Sequence, residues 1–282
     1  MSKKVKDILI HYKKILKENN FDTYSLDVEV LLMNVTQFSK TKLYLNLDYI
    51  LKPEEFEKFE SFFNRRLKNE PIAYIIGKCE FMGLEFLLDR NTLIPRPDTE
   101  ILVEKAIEII NENKLKNVID IGTGSGAIAI SLAKYCDINV DAIDINNKAL
   151  EIAKKNANLN NIKNINFIKS DIFENINKKY DIIVSNPPYI KTKVIETLDK
   201  NVKDYEPILA LDGGESGLIF YEKIVNNANK YLNKGGYLLF EIGHDQAEDV
   251  KKIMTNHNFI NIDILKDLSG LDRVILGNIK LI

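Results

Sequence analysis

Residues 185–190 read SNPPYI and close the apolar run YDIIV. Two consecutive prolines remove two backbone donors and fix two φ angles, so no sheet continues through them. Asn186 precedes a proline and is pushed toward an extended conformation. The outcome is a stiff corner that presents a polar amide at the end of a strand. A planar NH₂ nitrogen is a poor nucleophile, because its lone pair is delocalised into a carbonyl or a ring. Acceptors set against both of its hydrogens orient it and stabilise the positive charge it gains as it attacks an electrophile. The Asn186 side-chain oxygen and the Pro187 carbonyl can be those acceptors, with Pro188 stiffening the frame and Tyr189 packing on the flat group. An Asn-Pro pair is also ordinary turn punctuation, so the corner acquires chemical meaning only beside an electrophile.

The stretch VIDIGTGSGAIAI supplies a place for one. Gly122, Gly124 and Gly126, with Thr123 and Ser125 between them, join a strand to a helix. Glycine lets the backbone turn sharply and approach a ligand closely, and a helix N-terminus offers unpaired N–H groups. Asp144 ends the next strand, where an acid can accept hydrogen bonds from ribose hydroxyls. Asn146 and Asn147 are better placed than Asp144 to cap the helix that follows. The spacing is G-x-G-x-G and not the G-x-G-x-x-G of dinucleotide sites. It suits S-adenosylmethionine, which has no pyrophosphate to cradle and carries a sulfonium methyl group. Asp120 either reaches the amino-acid portion of such a cofactor or anchors the loop. In KSDIF, Asp171 can accept from an adenine amino group while Ile172 packs on the ring. A tight strand-to-helix turn and an ordinary loop acid are the plainer readings of each motif taken singly; their order along one chain favours the chemical one.

These residues need a sheet to align them. From about residue 98, NVIDI, NVDAIDI, INFIKS, YDIIVS, GYLLFEI, NIDILKD and RVILGN read as seven strands, with helical stretches between most of them. Such alternation predicts a Rossmann-like α/β domain, a mostly parallel seven-stranded sheet with helices on both faces. No helix separates the last two strands, so one of them is expected to run antiparallel. Residues 1–75 read as a helical bundle. Val5, Ile8, Leu9, Tyr12, Ile15 and Leu16 share a face, Ser25 is placed to cap a second helix, and Pro53 opens a third with Phe56, Phe59 and Phe63 on a stripe. Between them, 76–97 reads as a linker containing a hairpin, with strand-like pieces around Gly77 and Gly83.

Apolar residues make up 45% of the chain and charged residues 28%, the balance of a globular protein. Basic and acidic residues number 39 and 41, which argues against a grip on nucleic acid through bulk charge. Cys79 and Cys136 lack metal-ligand spacing and read as reduced thiols. His11, His244 and His257 are too scattered for a metal site. The N-terminus lacks the apolar region of a signal peptide, and no run approaches the ~18 apolar residues of a membrane span. A cytoplasmic protein without a membrane partner is expected.

GTGSG, AIDI and NPPYI resemble the S-adenosylmethionine-dependent methyltransferases that act on planar amides and exocyclic amines. EPIAYIIGKCEFMGLEF, LIPRPDTE, YEPILALDGGESGL, FEIGHDQ and LSGLDRVILG narrow the resemblance to the protein-(glutamine-N5) methyltransferases of peptide chain release factors. It spans nearly the whole chain. It implies methylation of the glutamine amide in a Gly-Gly-Gln motif, a cofactor held at Gly122 to Gly126, Asp144 and Ile172, and a substrate amide held at Asn186, Pro187, Pro188 and Tyr189. It also implies an N-terminal bundle that helps to dock the release factor. That family often has an aromatic residue where this chain has Ile172. Arg96, between two prolines, can order the site or bind the cofactor carboxylate but reads chiefly as an ion-pairing residue, and Glu100 has the same ambiguity, while Glu206 and Asp212 border the expected substrate entrance or merely shape a loop. A ribosomal-protein glutamine, or an adenine-N6 or guanine-N2 in nucleic acid, is the alternative substrate. The nucleic-acid reading calls for a flipped base and a basic surface or recognition domain, and neither is evident in the sequence.

Overall fold

The computed structural model describes residues 3–280. The chain divides into two compact units, one containing the residues up to Gly77 together with Lys200–Tyr205, the other Lys78–Asp199 and the residues from Glu206 onward.

The first unit is helical: α1 (Val5–Glu18), α2 (Tyr24–Thr36), α3 (Lys40–Leu45), α4 (Pro53–Leu67) and α5 (Ile72–Ile76). Val5, Ile8, Leu9, Tyr12 and Leu16 turn one face of α1 into a core shared with Val28, Leu31 and Leu32 of α2 and with Phe59 and Phe63 of α4. Pro53 occupies the first turn of α4, where its missing N–H is no loss. Two local expectations fail here. Ser25 is not a cap, because α2 already begins at Tyr24 and the Ser25 hydroxyl donates to Glu29 at 3.2 Å. The segment before Gly77 is helical and not strand-like; Pro71 precedes it, and Gly77 ends it with φ of +79° in the left-handed conformation that closes helices.

The second unit opens with β1 (Lys78–Phe81) and β2 (Leu84–Leu87), an antiparallel hairpin. Its two-residue turn has φ of +51° at Met82 and +69° at Gly83, the backbone a tight hairpin requires. Glu100 accepts from the Met82 N–H at 2.6 Å and Tyr135 donates to the Met82 carbonyl at 2.6 Å. There follow α6 (Thr99–Asn113), β3 (Asn117–Ile121), α7 (Ala127–Tyr135), β4 (Asn139–Asp144), α8 (Asn147–Leu159), β5 (Ile165–Lys169) and β6 (Tyr180–Ser185). Short turns α9 (Thr192–Ile195) and, in the first unit, α10 (Lys200–Lys203) lead to α11 (Ile219–Tyr231), β7 (Leu232–Glu241), α12 (Ala247–Asn256), β8 (Phe259–Lys266) and β9 (Asp272–Ile279).

The seven strands lie in the order β5-β4-β3-β6-β7-β9-β8, with β9 antiparallel to both neighbours. The side-chain period of two splits β3 between two cores: Val118 faces α6, α7 and the hairpin, whereas Ile119 and Ile121 face α11 and α12. Strand order reverses between β3 and β6, and the crevice at the carboxyl ends of strands flanking such a switch is where open α/β sheets bind ligands.

One buried amide ties the hairpin to this crevice. Asn156 of α8 is fully buried; it accepts from the Leu87 N–H at 2.7 Å and donates to the carbonyls of Leu87 and Ser125 at 3.0 and 2.9 Å. Asn156→Ala strands those three backbone groups, so a loss of about 2–4 kcal/mol is expected by urea denaturation, at ~1–3 kcal/mol for each unsatisfied group with partial relaxation.

Candidate active site

Parallel pairing brings the predicted residues to one edge. Ile121 pairs with Ile143 and with Ser185, and Asp144 pairs with Lys169. The loops leaving β3, β4, β5 and β6 therefore begin side by side. Together they line a cavity of about 350 Å³ that includes Gly122, Thr123, Gly124, Ser125, Asp144, Asp171, Ile172, Asn186, Pro187 and Pro188. Of the residues expected to hold cofactor or substrate, Gly126 and Tyr189 do not line it, and neither do Asp120, Arg96, Glu100, Glu206 and Asp212.

The three glycines divide the work. Gly122 and Gly124 have φ of +74° and +55°, and a Cβ added to either would meet nothing within 4 Å. They leave the loop backbone open to the cavity. Gly126 has φ of +84°, and its Cβ would come within 2.8 Å of Ile130 Cδ1 and 3.1 Å of Ala153 Cβ. Its smallness therefore serves the packing of α7 against α8. The loop is sewn down by the N–H groups of Gly122 and Thr123, which donate to the Ile143 carbonyl at 2.9 and 2.8 Å.

Asp144 accepts from the Gly124 N–H at 2.9 Å and the Asn146 N–H at 2.8 Å. Asn146 itself caps α8, accepting from the Lys148 N–H at 3.0 Å. Burial raises the Asp144 pKa, while its backbone donors oppose the rise. An ionised carboxylate has about four lone-pair sites, so acceptor capacity remains for a ligand's hydroxyls. Asp171 is exposed at the cavity. Ile172 has φ of +49°, an outlier for a β-branched residue. Ser170 supports this strained turn, its hydroxyl donating to the Ile172 carbonyl at 2.9 Å and accepting from Asn175 N–H at 3.0 Å.

An open glycine backbone beside an acid fits a nucleoside-bearing methyl donor: Asp144 would hold its ribose, the backbone at Gly122 and Gly124 its body, and Ile172 the base. Asp120, fully buried behind the loop, accepts through Oδ2 from the Thr123 hydroxyl at 2.6 Å and the Ala129 N–H at 3.2 Å. Its Oδ1 has no partner among the described residues. The side chain anchors the loop.

The corner after β6 is buttressed from several directions, most of them not foreseen from sequence. Asn186 Nδ2 donates to Thr99 Oγ1 at 3.3 Å, Thr99 donates to Glu241 Oε2 at 2.6 Å, and Tyr189 donates to Glu241 Oε1 at 3.2 Å. Tyr189 thus secures the corner from below through its hydroxyl. Gln246 donates to the carbonyls of Tyr189 and Gly217 at 3.0 and 3.2 Å. A Cβ on Gly213 would lie 2.7 Å from Tyr189 Cα and 2.8 Å from the Pro188 oxygen, so the Asp212-Gly213 backbone packs directly on the corner. Asp212 serves that loop, accepting from Thr192 Oγ1 at 2.7 Å and Gly214 N at 2.9 Å. Arg96 forms an ion pair with buried Glu206, next to the cavity residue Pro207. Asn186 Oδ1 and the Pro187 carbonyl accept no hydrogen bond from a described residue. Both residues line the cavity.

Burial pushes the Asp120 carboxyl up to about 7, against its hydrogen bonds from Thr123 and Ala129. The folded chain then keeps a proton that the unfolded chain, with an ordinary Asp near pKa ~4, has released. The stability contributed is complete below about pH 4 and is lost as pH rises through about 7. Asp120→Asn cannot ionise. Its stability relative to the parent is expected to climb between pH 4 and about 7 and to level off above, as read by urea denaturation across pH without cofactor.

Comparison with known proteins gives the relatives of this chain. Residues 98–214 match the Methyltransferase small domain family and residues 7–77 the PrmC N-terminal domain family. A release factor glutamine methyltransferase of Clostridium acetobutylicum is 43% identical over 97% of this chain and 98% of its own. One from Fusobacterium nucleatum subsp. nucleatum is 44% identical over 96% of this chain and 78% of its own. A solved ribosomal protein L11 methylase from Lactobacillus delbrueckii subsp. bulgaricus is 24% identical, covers 68% of this chain and 84% of its own, and superposes with a TM-score of 0.51. That last similarity is one of fold.

Proposed function

The chain belongs to the release factor glutamine methyltransferases, and is thereby an S-adenosylmethionine-dependent protein-glutamine N5-methyltransferase; we propose that its target is the glutamine of a Gly-Gly-Gln motif in a peptide chain release factor. We further propose that the corner at Asn186 to Tyr189 performs the selection of the amide. The observation that supports this most is the pair of free acceptors, Asn186 Oδ1 and the Pro187 carbonyl, at the cavity that also holds the glycine loop and Asp144.

A glutamine NH₂ has two hydrogens and needs two acceptors that do not move. Asn186 Oδ1 and Pro187 O take one each, which fixes the plane of the amide and turns its nitrogen toward the methyl donor. S-adenosylmethionine, when bound, supplies the electrophilic methyl. As the nitrogen becomes positively charged, the same two oxygens are drawn to it more strongly than to the neutral amide, so the gain is largest in the transition state. The N-methylated, positively charged amide is very acidic and releases its surplus proton without a strong general base. Pro188 walls the corner, and Gly122 to Ser125, Asp144, Asp171 and Ile172 carry the cofactor side. Glutamine's amide is neutral and flat, which matches two neutral oxygens in a partly apolar cleft. The bundle over 7–77, which matches the PrmC N-terminal domain family, is proposed to dock the release factor. The ribosomal-protein and nucleic-acid readings gain nothing from a likeness of fold alone.

Incubation with labelled S-adenosylmethionine and a release factor should label the Gly-Gly-Gln peptide; label confined to ribosomal protein, RNA or DNA would sink the assignment. Asn186→Ala is expected to lower kcat by about two to three orders of magnitude, equivalent to ~3–4 kcal/mol. Asp144→Ala should instead weaken cofactor binding, measured by calorimetry. A swap of these two phenotypes would contradict the division of roles.

A further inference from the structure

A primary amide has two orientations of almost identical shape, related by half a turn about its last bond. For Asn186 only one of them offers an oxygen to an incoming NH₂. The other offers a second NH₂, which cannot accept and repels it. The prolines stiffen the backbone but do not touch this choice. Something else must set it.

The sense of the amide can be followed donor by donor from the sheet outward. Glu241 ends β7 and is 2% exposed. Both of its oxygens receive hydroxyl protons, Oε2 from Thr99 at 2.6 Å and Oε1 from Tyr189 at 3.2 Å. An ionised carboxylate only accepts, and two received hydroxyl protons are the arrangement such a carboxylate takes; burial raises the Glu241 pKa, while the Thr99 hydrogen bond, the charge of Arg273 on neighbouring β9 and the Tyr189 hydrogen bond oppose the rise. Thr99 has a single hydroxyl proton, and Glu241 takes it. What Thr99 Oγ1 has left for Asn186, 3.3 Å away, is lone pairs. Asn186 must therefore turn Nδ2 to Thr99, which leaves Oδ1 for the substrate side. Reversing the polarity of any link would reverse the last one.

We propose that Glu241, acting through Thr99, is the positioning residue that fixes the hydrogen-bonding sense of the Asn186 amide, and so makes the corner an acceptor of NH₂ groups. This deepens the function proposed above and rests on it. Glu241 acts at two removes from the substrate. Its contribution is one of direction, carried by a carboxylate that cannot donate and a hydroxyl with one proton to give. A merely structural acid at this place would be replaceable by its amide; a polarity-setting one is not, because the Gln amide can donate to Thr99 and invert the chain.

The test uses the full-length enzyme, a Gly-Gly-Gln release factor and labelled cofactor. Thr99→Val keeps the shape and removes the hydroxyl, and Glu241→Gln keeps the shape and admits a donor. Each is expected to lower kcat about tenfold or more, inside the two to three orders that a lost oriented dipole can cost, while cofactor affinity stays within about twofold of the parent. The double variant should be no worse than the poorer single, as groups acting in one chain are non-additive. Thr99→Ser, which restores the proton, should recover most of the kcat lost in Thr99→Val. The Asn186 side-chain amide resonances in ¹⁵N NMR give a reading that needs no substrate: one hydrogen-bonded environment in the parent, altered in Thr99→Val and Glu241→Gln. Unchanged Asn186 resonances in both variants would overturn the proposal, as would unchanged kcat in both or a Thr99→Val loss that Ser does not repair. Failure of the parent to label the release factor, with the Asn186 resonances responding as described, would count against the proposed substrate and leave the polarity relay standing.

Discussion

In-register parallel pairing of β5, β4, β3 and β6 is the constraint on which the site depends. Strands so paired sit about 4.8 Å apart, so the ends of the four span about 14 Å, roughly the length of a nucleoside with an amino-acid tail. Each strand then needs to contribute only one or two residues at its own terminus. The glycine loop, Asp144, Asp171 and Asn186 are far apart in sequence and become neighbours because Ile121 is paired on both sides, with Ile143 and with Ser185. A one-residue slip of β6 against β3 would turn Ser185 and Asn186 to the wrong faces. The Ser185 hydroxyl, donating to the Ile121 carbonyl at 2.7 Å, adds a side-chain tie at the place where that slip would start.

The corner shows where polar groups are worth burying. Glu241, Thr99 and Gln246 are 2%, 4% and 4% exposed, and burial raises the Glu241 pKa although Thr99, Arg273 and Tyr189 resist the rise. An apolar filling would pack as well at lower desolvation cost. It would give no direction to an amide. The polar network is thus understood as a device for orientation, with stability supplied by the two apolar cores on either face of the sheet.

What the sequence made legible was the set of residues with chemistry at strand ends. The period-two and helical patterns gave the seven strands, one antiparallel strand among the last two (it is β9) and the aromatic stripe of α4, and NPP and GTGS line the cavity. Tyr189 is expected from sequence to pack on the flat group, yet the structure sends its hydroxyl inward to Glu241, a partner 52 residues away that no local pattern announces. Thr99 and Glu241 were overlooked for the same reason: each is an unremarkable residue in PDTE or FEIG until the fold joins them. The signal that could have found them is the buried acid itself, since an apolar strand such as GYLLFEI has no use for a terminal Glu without partners. DGG offered a similar hint. Gly213 is required by its closeness to the Tyr189 backbone, and sequence could say only that a turn was there. At Ser25 and before Gly77 the errors were ones of boundary and propensity, where packing within the bundle decided the outcome.

The unequal surroundings of the three loop glycines have a genetic consequence. Side chains arising at Gly122 or Gly124, which line the cavity, meet open space, whereas one arising at Gly126 drives into Ile130 and Ala153. Alleles of the first kind carry the backbone strain of a positive φ but no clash, and should lose activity at every growth temperature while part of the protein still folds. Alleles of the second kind should be conditional, tolerated in the cold and cleared by proteolysis in the warm. A five-residue signature that looks uniform on the page is thus under two separate kinds of natural selection, one for occupancy and one for folding.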